Sequence, residues 1–87
     1  MKKNIFKDSL GNVHFGLNAP AEFQTGTKED VIIALNNLGD KKLWRCTVCN
    51  DLSIGSKPPK ECPTCRVVNV YIEIEVSEFN KLFELLI

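Results

Sequence analysis

The stretch CTVCNDLSIGSKPPKECPTC, residues 46–65, holds all four cysteines of the 87-residue chain. They form two Cys-x-x-Cys units, and twelve residues separate the two units. One such turn places two thiolates about 3.5–4 Å apart, as two corners of a tetrahedron with metal–sulfur distances of about 2.3 Å require. A second unit, returned by the intervening loop, supplies the other two corners. The sequence therefore predicts Cys46, Cys49, Cys62 and Cys65 as the ligands of one metal ion.

Two other uses of the cysteines compete with this interpretation. The unit Cys62-Pro63-Thr64-Cys65 is similar to the active-site loop of thioredoxin-fold enzymes, where a redox dithiol opens and closes a disulfide. That chemistry places the motif at the N-terminus of a helix in a βαβ unit, whereas β-type sequence follows it here. A structural disulfide framework is rare in the cytosol. The four-thiolate metal site is therefore favoured over both.

The chain carries no pattern that predicts export or membrane insertion. Met1-Lys2-Lys3 is basic, but no apolar run of about 7–15 residues follows it. No stretch approaches the roughly 18 apolar residues of a membrane span. We therefore expect a cytoplasmic protein with no membrane partner.

Charge is unevenly distributed, although the net charge is zero. Residues 41–66 carry six Lys or Arg against two acidic residues, and residues 67–87 carry four glutamates against one lysine. A basic surface can steer an acidic redox partner or contact nucleic acid. Because the six cations are spread over the whole segment 41–66, the patch is weak and nucleic acid is the less favoured partner.

The first forty residues predict a β-hairpin followed by a helix. Residues 4–17 have β-forming residues at both ends, and Leu10-Gly11-Asn12 between them supplies a turn. Residues 18–26 are predicted to be a loop. Thr27, with an acidic residue three positions later, predicts a helix N-cap, and Gly39 predicts the end of that helix.

The second half of the chain predicts a short strand at Leu43 and Trp44, a long irregular loop over residues 50–61, and then a strand and a helix. Alternating residues predict a half-buried strand that buries Val70, Ile72, Ile74 and Val76. Ser77 is the predicted N-cap of the terminal helix. Its apolar stripe predicts core packing, and its surplus of apolar groups also suggests a homodimer; these groups are Phe79, Leu82, Phe83, Leu85, Leu86 and Ile87.

The segment LWRCTVCNDLSIGSKPPKECPTCRV, residues 43–67, resembles the rubredoxin fold, and in particular the short rubredoxin-like domain at the C-terminus of rubrerythrins. It shares an aromatic residue before the first cysteine, a glycine and a proline in the intervening segment, and a Cys-Pro-x-Cys unit. These features are Trp44, Gly55, Pro59 and Cys62-Pro63-Thr64-Cys65.

The segment departs from the family pattern at two places. Rubredoxin-type knuckles usually have glycine after the second cysteine of each pair, where the backbone turns to positive φ. Asn50 and Arg66 stand at these positions here, and arginine tolerates this conformation less well than asparagine. Asp51-Leu52-Ser53 replaces the aromatic pair that usually follows the first knuckle.

The resemblance implies one iron ion, held by the four cysteines, that exchanges one electron with a redox partner protein. It also implies that Trp44, Val48, Pro59 and Pro63 shield the site and fix its turns. The residues themselves leave the metal open, because four thiolates suit iron and zinc alike. The expected cofactor is therefore one Fe or Zn ion per chain, with iron favoured for function. The alternative function is a structural zinc ribbon that binds a protein or nucleic acid.

The sequence favours a binding or electron-transfer protein over an enzyme. It shows no nucleophile–base pair and no carboxylate pair, and it lacks the di-iron four-helix bundle of a full rubrerythrin. The one histidine, His14, is expected to be a surface or hydrogen-bonded strand residue and not a ligand.

These patterns together predict a single small α+β domain over residues 1–87, in which both flanks share one core with a rubredoxin-like four-cysteine metal ribbon. The N-terminal hairpin and helix are expected in residues 1–40, the metal ribbon in 41–67, and the strand and terminal helix in 68–87.

Overall fold

The computed structural model describes residues 3–86, with side chains as far as Glu84. This part of the chain forms six strands and two helices: β1 (Asn4–Lys7), β2 (Val13–Gly16), β3 (Gln24–Thr25), α1 (Lys28–Asn36), β4 (Lys42–Cys46), β5 (Leu52–Gly55), β6 (Tyr71–Ile74) and α2 (Val76–Leu86). Neither of these two helices is long and apolar enough to cross a membrane.

All six strands belong to one sheet, in the order β3-β1-β2-β5-β4-β6. Every neighbouring pair is antiparallel. The pairing of β2 with β5 joins the N-terminal hairpin directly to the hairpin that carries the first cysteine pair. The predicted small α+β fold is therefore confirmed. In chain order, a hairpin and a helix precede the cysteine segment, and a strand and a helix follow it.

One face of the sheet, called the core face, holds the hydrophobic core. Successive residues of a strand point to opposite faces, so the register assigns each residue to a face. Phe15 pairs with Leu52, and Ile54 pairs with both Val13 and Leu43, which places these apolar side chains on the same face. Both helices pack here and complete a core of Ile5, Val13, Phe15, Val31, Ala34, Leu43, Leu52, Ile54, Ile74 and Phe79.

The opposite face, called the metal face, carries polar residues and the cysteine segment. His14 pairs with Ser53, which in turn pairs with Trp44, and Cys46 follows two residues after Trp44 on β4. All four residues therefore point away from the core face. The sheet thus separates a helical layer from a metal-binding layer.

Residues 50–61 were expected to be an irregular loop, and this prediction is wrong for residues 52–55. These four residues form β5, which lies between β2 and β4 near the centre of the sheet and is buried along its whole length. Leu52 and Ile54 enter the core, while Ser53 faces the metal side. The reason for the error is length: four residues give too few alternations to outweigh the turn residues that follow them.

The ends of the helices also differ from the prediction. The capping box of Thr27 and Asp30 is confirmed, but α1 ends at Asn36 with Asn37 as its C-cap. Gly39 lies two residues later, at φ +56, in the turn that leads to β4. Helix α2 begins at Val76, so Ser77 lies in its first turn and is not its N-cap.

The strand after the cysteines is shorter and less buried than the alternation predicts. Of its four apolar residues that were expected inside, only Ile74 is buried, whereas Ile72 and Val76 are each 43% exposed. Among the described strands β6 pairs with β4 alone and forms an edge of the sheet, so no second strand lies beside it there.

The apolar stripe of α2 packs against the core of its own chain. Phe79 is fully buried, and Phe83 makes an edge-to-face contact with Phe15 at a centroid distance of 4.9 Å. Leu82 packs beside them. The side chains of residues 85–86 and Ile87 lie outside the described part, and a homodimer through this helix stays a prediction.

Candidate metal centre

The first cysteine pair forms the turn of the β4–β5 hairpin, residues 46–51, which we call the first knuckle. The Cys46 N–H donates to the Asp51 carbonyl at 2.8 Å, and the Asn50 N–H donates to the Cys46 carbonyl at 3.0 Å. Asn50 has the expected positive φ of 65°, and its side chain accepts a hydrogen bond from Arg45. The sheet pairing therefore holds both ends of this turn.

The second cysteine pair, residues 62–67, repeats the same backbone pattern and is called the second knuckle. The Cys62 N–H donates to the Val67 carbonyl at 3.0 Å, and the Arg66 N–H donates to the Cys62 carbonyl at 2.8 Å. Arg66 has φ 65°, the same value as Asn50 in the first knuckle. The two knuckles are thus local copies of one turn.

Hydrogen bonds from the rest of the chain hold the second knuckle in place. The Thr47 N–H and side-chain hydroxyl both donate to the Val70 carbonyl at 2.9 Å, which links the first knuckle to the segment that follows the second knuckle. The Thr64 hydroxyl oxygen accepts from the N–H groups of Leu17 and Asn18, each at 3.2 Å. The segment that follows β2 therefore contacts the second knuckle directly.

Arg66→Gly is expected to raise the free energy of unfolding by about 1 kcal/mol, because glycine adopts a left-handed conformation without the Cβ penalty. The lost ion pair with Glu61, at 3.7 Å between exposed side chains, contributes little. Denaturant unfolding of the metal-loaded protein measures the gain. Arg66→Ala removes the same charge but keeps the Cβ, so it should not raise the free energy of unfolding. An equal gain in both variants would show that the gain comes from loss of the arginine side chain and not from the glycine backbone.

The four cysteine sulfurs form one compact cluster, with all Sγ atoms within 4.8 Å of one another. Across the two knuckles, the Sγ atoms of Cys46 and Cys65 lie 3.7 Å apart and those of Cys49 and Cys62 lie 3.4 Å apart. A tetrahedron with metal–sulfur distances of about 2.3 Å has sulfur–sulfur edges of about 3.8 Å. The cluster therefore fits a mononuclear metal site.

The first cysteine of each knuckle is buried and the second is half-buried. Burial acts to raise the pKa of the Cys46 thiol, but the N–H groups of Cys49 and Val48 outweigh it, so the pKa is lowered. At Cys62 burial dominates and the pKa is raised, although backbone N–H groups of its own knuckle also face the sulfur. Backbone N–H groups therefore favour the thiolate at Cys46, whereas at Cys62 they only reduce the effect of burial.

An unpredicted carboxylate, Asp51, is completely buried beside the cluster. Its Oδ1 accepts from Lys3 Nζ at 2.6 Å, and its Oδ2 lies 3.1 Å from His14 Nε2 and 3.7 Å from Cys62 Sγ. Burial disfavours the charged form, but the hydrogen bonds from His14 and Lys3 outweigh this penalty and lower the pKa of Asp51 to about 2. The carboxylate is therefore ionised at neutral pH.

The four residues predicted to shield the site lie in different surroundings. Trp44 is half-buried on the metal face, and its Nε1–H donates to the Gly55 carbonyl at 3.0 Å. Pro63 is buried and Pro59 is half-buried, whereas Val48 is 58% exposed at the tip of the first knuckle. Their shielding role stays a prediction.

Comparison with known proteins agrees with this geometry. Residues 44–72, one third of the chain, match a family model described as the rubredoxin-like domain of rubrerythrin. Searches of curated proteins and of solved structures found no match. The matched segment covers both knuckles and extends into β6, whereas β1, β2 and α1 lie outside it. The predicted resemblance is confirmed: the cysteine segment is similar to the rubredoxin-like domain of rubrerythrin, and its four-cysteine cluster supports metal binding.

Proposed function

We propose that the chain is a one-electron carrier that holds a single iron ion between its two knuckles. The observation that carries this proposal is the four-sulfur cluster, in which two identical turns bring Cys46, Cys49, Cys62 and Cys65 together. The match to the rubrerythrin rubredoxin-like domain supports iron as the functional metal. Iron held by four thiolates supplies exchange of one electron between the ferric and ferrous states.

The knuckles keep their ligands fixed while the charge of the site changes. The first knuckle is closed by the β4–β5 pairing, and Thr47 in it is hydrogen-bonded to Val70, three residues after the second knuckle. Because the sulfur positions are set by a hydrogen-bonded backbone, we expect little rearrangement between two oxidation states. Cys49 and Cys65, which are half-buried, bring their sulfurs nearer to solvent than Cys46 and Cys62 and are the expected route for the electron.

A buried tyrosine hydroxyl lies near one of the sulfurs. The side chain of Tyr71, at the start of β6, lies near Cys62, and its hydroxyl is buried with no hydrogen-bond partner among the described residues. Burial and the facing Cys62 sulfur raise the pKa of Tyr71, so the hydroxyl keeps its proton. A hydrogen bond to a ligand sulfur stabilises the more negative ferrous state and raises the reduction potential.

The expected partner is an acidic redox protein. The segment 41–66 carries a net positive charge, and the side chains of Lys57 and Lys60 flank the approach to the second knuckle. Complementary charge of this kind increases the rate of encounter more than the final affinity. We therefore expect the rate of electron transfer between the two proteins to fall as the salt concentration rises.

The experiment is anaerobic loading of the metal-free protein with ferrous iron, followed by oxidation. We expect one iron per chain and visible thiolate-to-iron charge-transfer bands that one electron equivalent bleaches reversibly. Cys65→Ser is the matched control and should not develop these bands. A wild-type protein that stays colourless with iron but binds one zinc per chain would contradict the proposal and favour the structural zinc ribbon. Loading in vitro matters, because zinc can replace iron during overexpression.

A further inference from the structure

Three charged or polar side chains from different parts of the chain meet beside the metal cluster. Lys3 and His14, which lie outside the segment that matches the rubredoxin-like family model, both contact Asp51 in the first knuckle. The side chains of His14 and Asp51 are fully buried, and that of Lys3 is 11% exposed. We call Lys3, His14 and Asp51 the charge cluster.

The two oxygens of Asp51 have different neighbours. Oδ1 faces Lys3, whose Nζ also donates to the Cys49 carbonyl at 2.8 Å. Oδ2 faces His14 and lies 3.7 Å from Cys62 Sγ. Because an ionised carboxylate only accepts hydrogen bonds, His14 Nε2 carries the hydrogen in this contact. Asp51 Oδ2 is thereby held near Cys62 Sγ. The Lys3 ammonium, which compensates the negative charge, lies on the Oδ1 side, next to the Cys49 carbonyl.

This arrangement places opposite charges within reach of a centre whose own charge changes. Four thiolates with ferric iron carry one net negative charge, and with ferrous iron they carry two. A nearby carboxylate repels the second state more than the first, and an ammonium stabilises it. Both charges are buried, so water and salt screen them weakly.

We propose that the charge cluster sets the ferric–ferrous equilibrium of the site, with Asp51 favouring the ferric state, Lys3 opposing it and His14 positioning the carboxylate. The inference rests on the proposed function, since it concerns the same metal. It assigns to β2 and to the residue before β1 a direct electrostatic role in the centre. All three are positioning or tuning residues, and none is a ligand.

The test is the reduction potential of the iron-loaded full-length protein, measured by spectroelectrochemistry in two variants. Asp51→Asn keeps the shape of the side chain and should shift the equilibrium toward ferrous iron at least tenfold, about +59 mV for one electron. Lys3→Met should shift it at least tenfold in the opposite direction. If Asp51 and Lys3 only supported the fold, the two substitutions would not shift the reduction potential in opposite directions. Lys3→Arg should restore the wild-type potential.

Lys7→Met is the matched control for Lys3→Met. Lys7 is also a lysine of the N-terminal segment, but its side chain pairs with Asp30 of α1 at 3.4 Å. Its removal should change the equilibrium less than threefold. Shifts of the same sign in Asp51→Asn and Lys3→Met, or shifts below threefold in both, would overturn the inference.

Cobalt binding gives a second readout that needs no redox couple. At fixed pH, binding of Co(II) to four protonated thiols releases four protons and leaves a site with two net negative charges. Asp51→Asn should therefore bind Co(II) more tightly than the wild type, and Lys3→Met more weakly. If the wild-type iron protein shows no reversible couple, the proposed function fails, and the two cobalt affinities still decide the inference: equal affinities or changes of one sign would overturn it.

Discussion

Cys62→Ser is expected to abolish tight metal binding and to remove most of the stability that the metal contributes. Cys62 is fully buried, with its sulfur 3.4 Å from that of Cys49. Serine has almost the same shape, so packing is retained, but its hydroxyl does not ionise and cannot replace a thiolate ligand. Binding of a structural metal to four such ligands contributes on the order of 10 kcal/mol or more to folding. We expect the affinity for Zn(II) or Co(II) to fall at least about 100-fold.

Competition with a chromophoric chelator measures the affinity, and thermal unfolding with and without metal measures the stability. The control is the comparison of both proteins without metal. In the metal-free state, Cys62→Ser should change the free energy of unfolding by no more than about 1 kcal/mol. A Cys62→Ser protein that retains one tightly bound metal ion would contradict the four-cysteine site. A large loss of stability in the metal-free form would instead attribute the effect to packing.

Hydrogen exchange should show which part of the fold depends on the bound metal for its stability. The two ends of the second knuckle are joined to each other by one isolated bridge, Glu61 with Val68, and single hydrogen bonds from Leu17 and Asn18 to Thr64 connect it to the rest of the chain. The core face, in contrast, is closed by β2, β5 and β4 without any cysteine sulfur. Hydrogen exchange in the metal-free protein is therefore expected to be fast in residues 61–68 and to stay slow in β2 and β5.

The metal ligands could be predicted from sequence because their signal is local. Each Cys-x-x-Cys turn is complete within six residues, and its backbone pattern is the same in both knuckles. The positive φ at Asn50 and Arg66 also follows from position within the turn. Thr27 at the start of α1 is a local signal of the same kind, and its capping box is found as predicted.

The surroundings of the ligands could not be predicted in this way. His14 and Asp51 are 37 residues apart in sequence, and only the pairing of β2 with β5 brings them together. That pairing depends on β5, which was interpreted as loop because Pro58-Pro59 and Gly55 dominate its neighbourhood. A buried carboxylate gives no sequence signal of its own. Its one visible trace was an acidic residue where the family usually has an aromatic one.

The second large effect is expected at Gly16, the last residue of β2. A Cβ at this position would lie only 2.5 Å from Asp51 Cγ and 2.8 Å from its Oδ1. The carboxylate cannot move aside without losing its hydrogen bonds to Lys3 and His14. Overpacking together with broken charged hydrogen bonds predicts that Gly16→Ala lowers the free energy of unfolding by about 3 kcal/mol. Because the Asp51 carbonyl closes the first knuckle, metal affinity should fall as well.

Gly55→Ala separates this clash from the general effect of adding a methyl group to a buried strand. Its Cβ would lie no closer than 3.3 Å to any atom beyond its chain neighbours, so a change within about 1 kcal/mol is expected. A double-mutant cycle gives the decisive measurement. In an Asp51→Ala background the obstructing carboxylate is gone, and Gly16→Ala should then cost less than about 1 kcal/mol. If its cost is the same in both backgrounds, the glycine is required by the backbone of β2, and the charge cluster does not determine the residue at position 16.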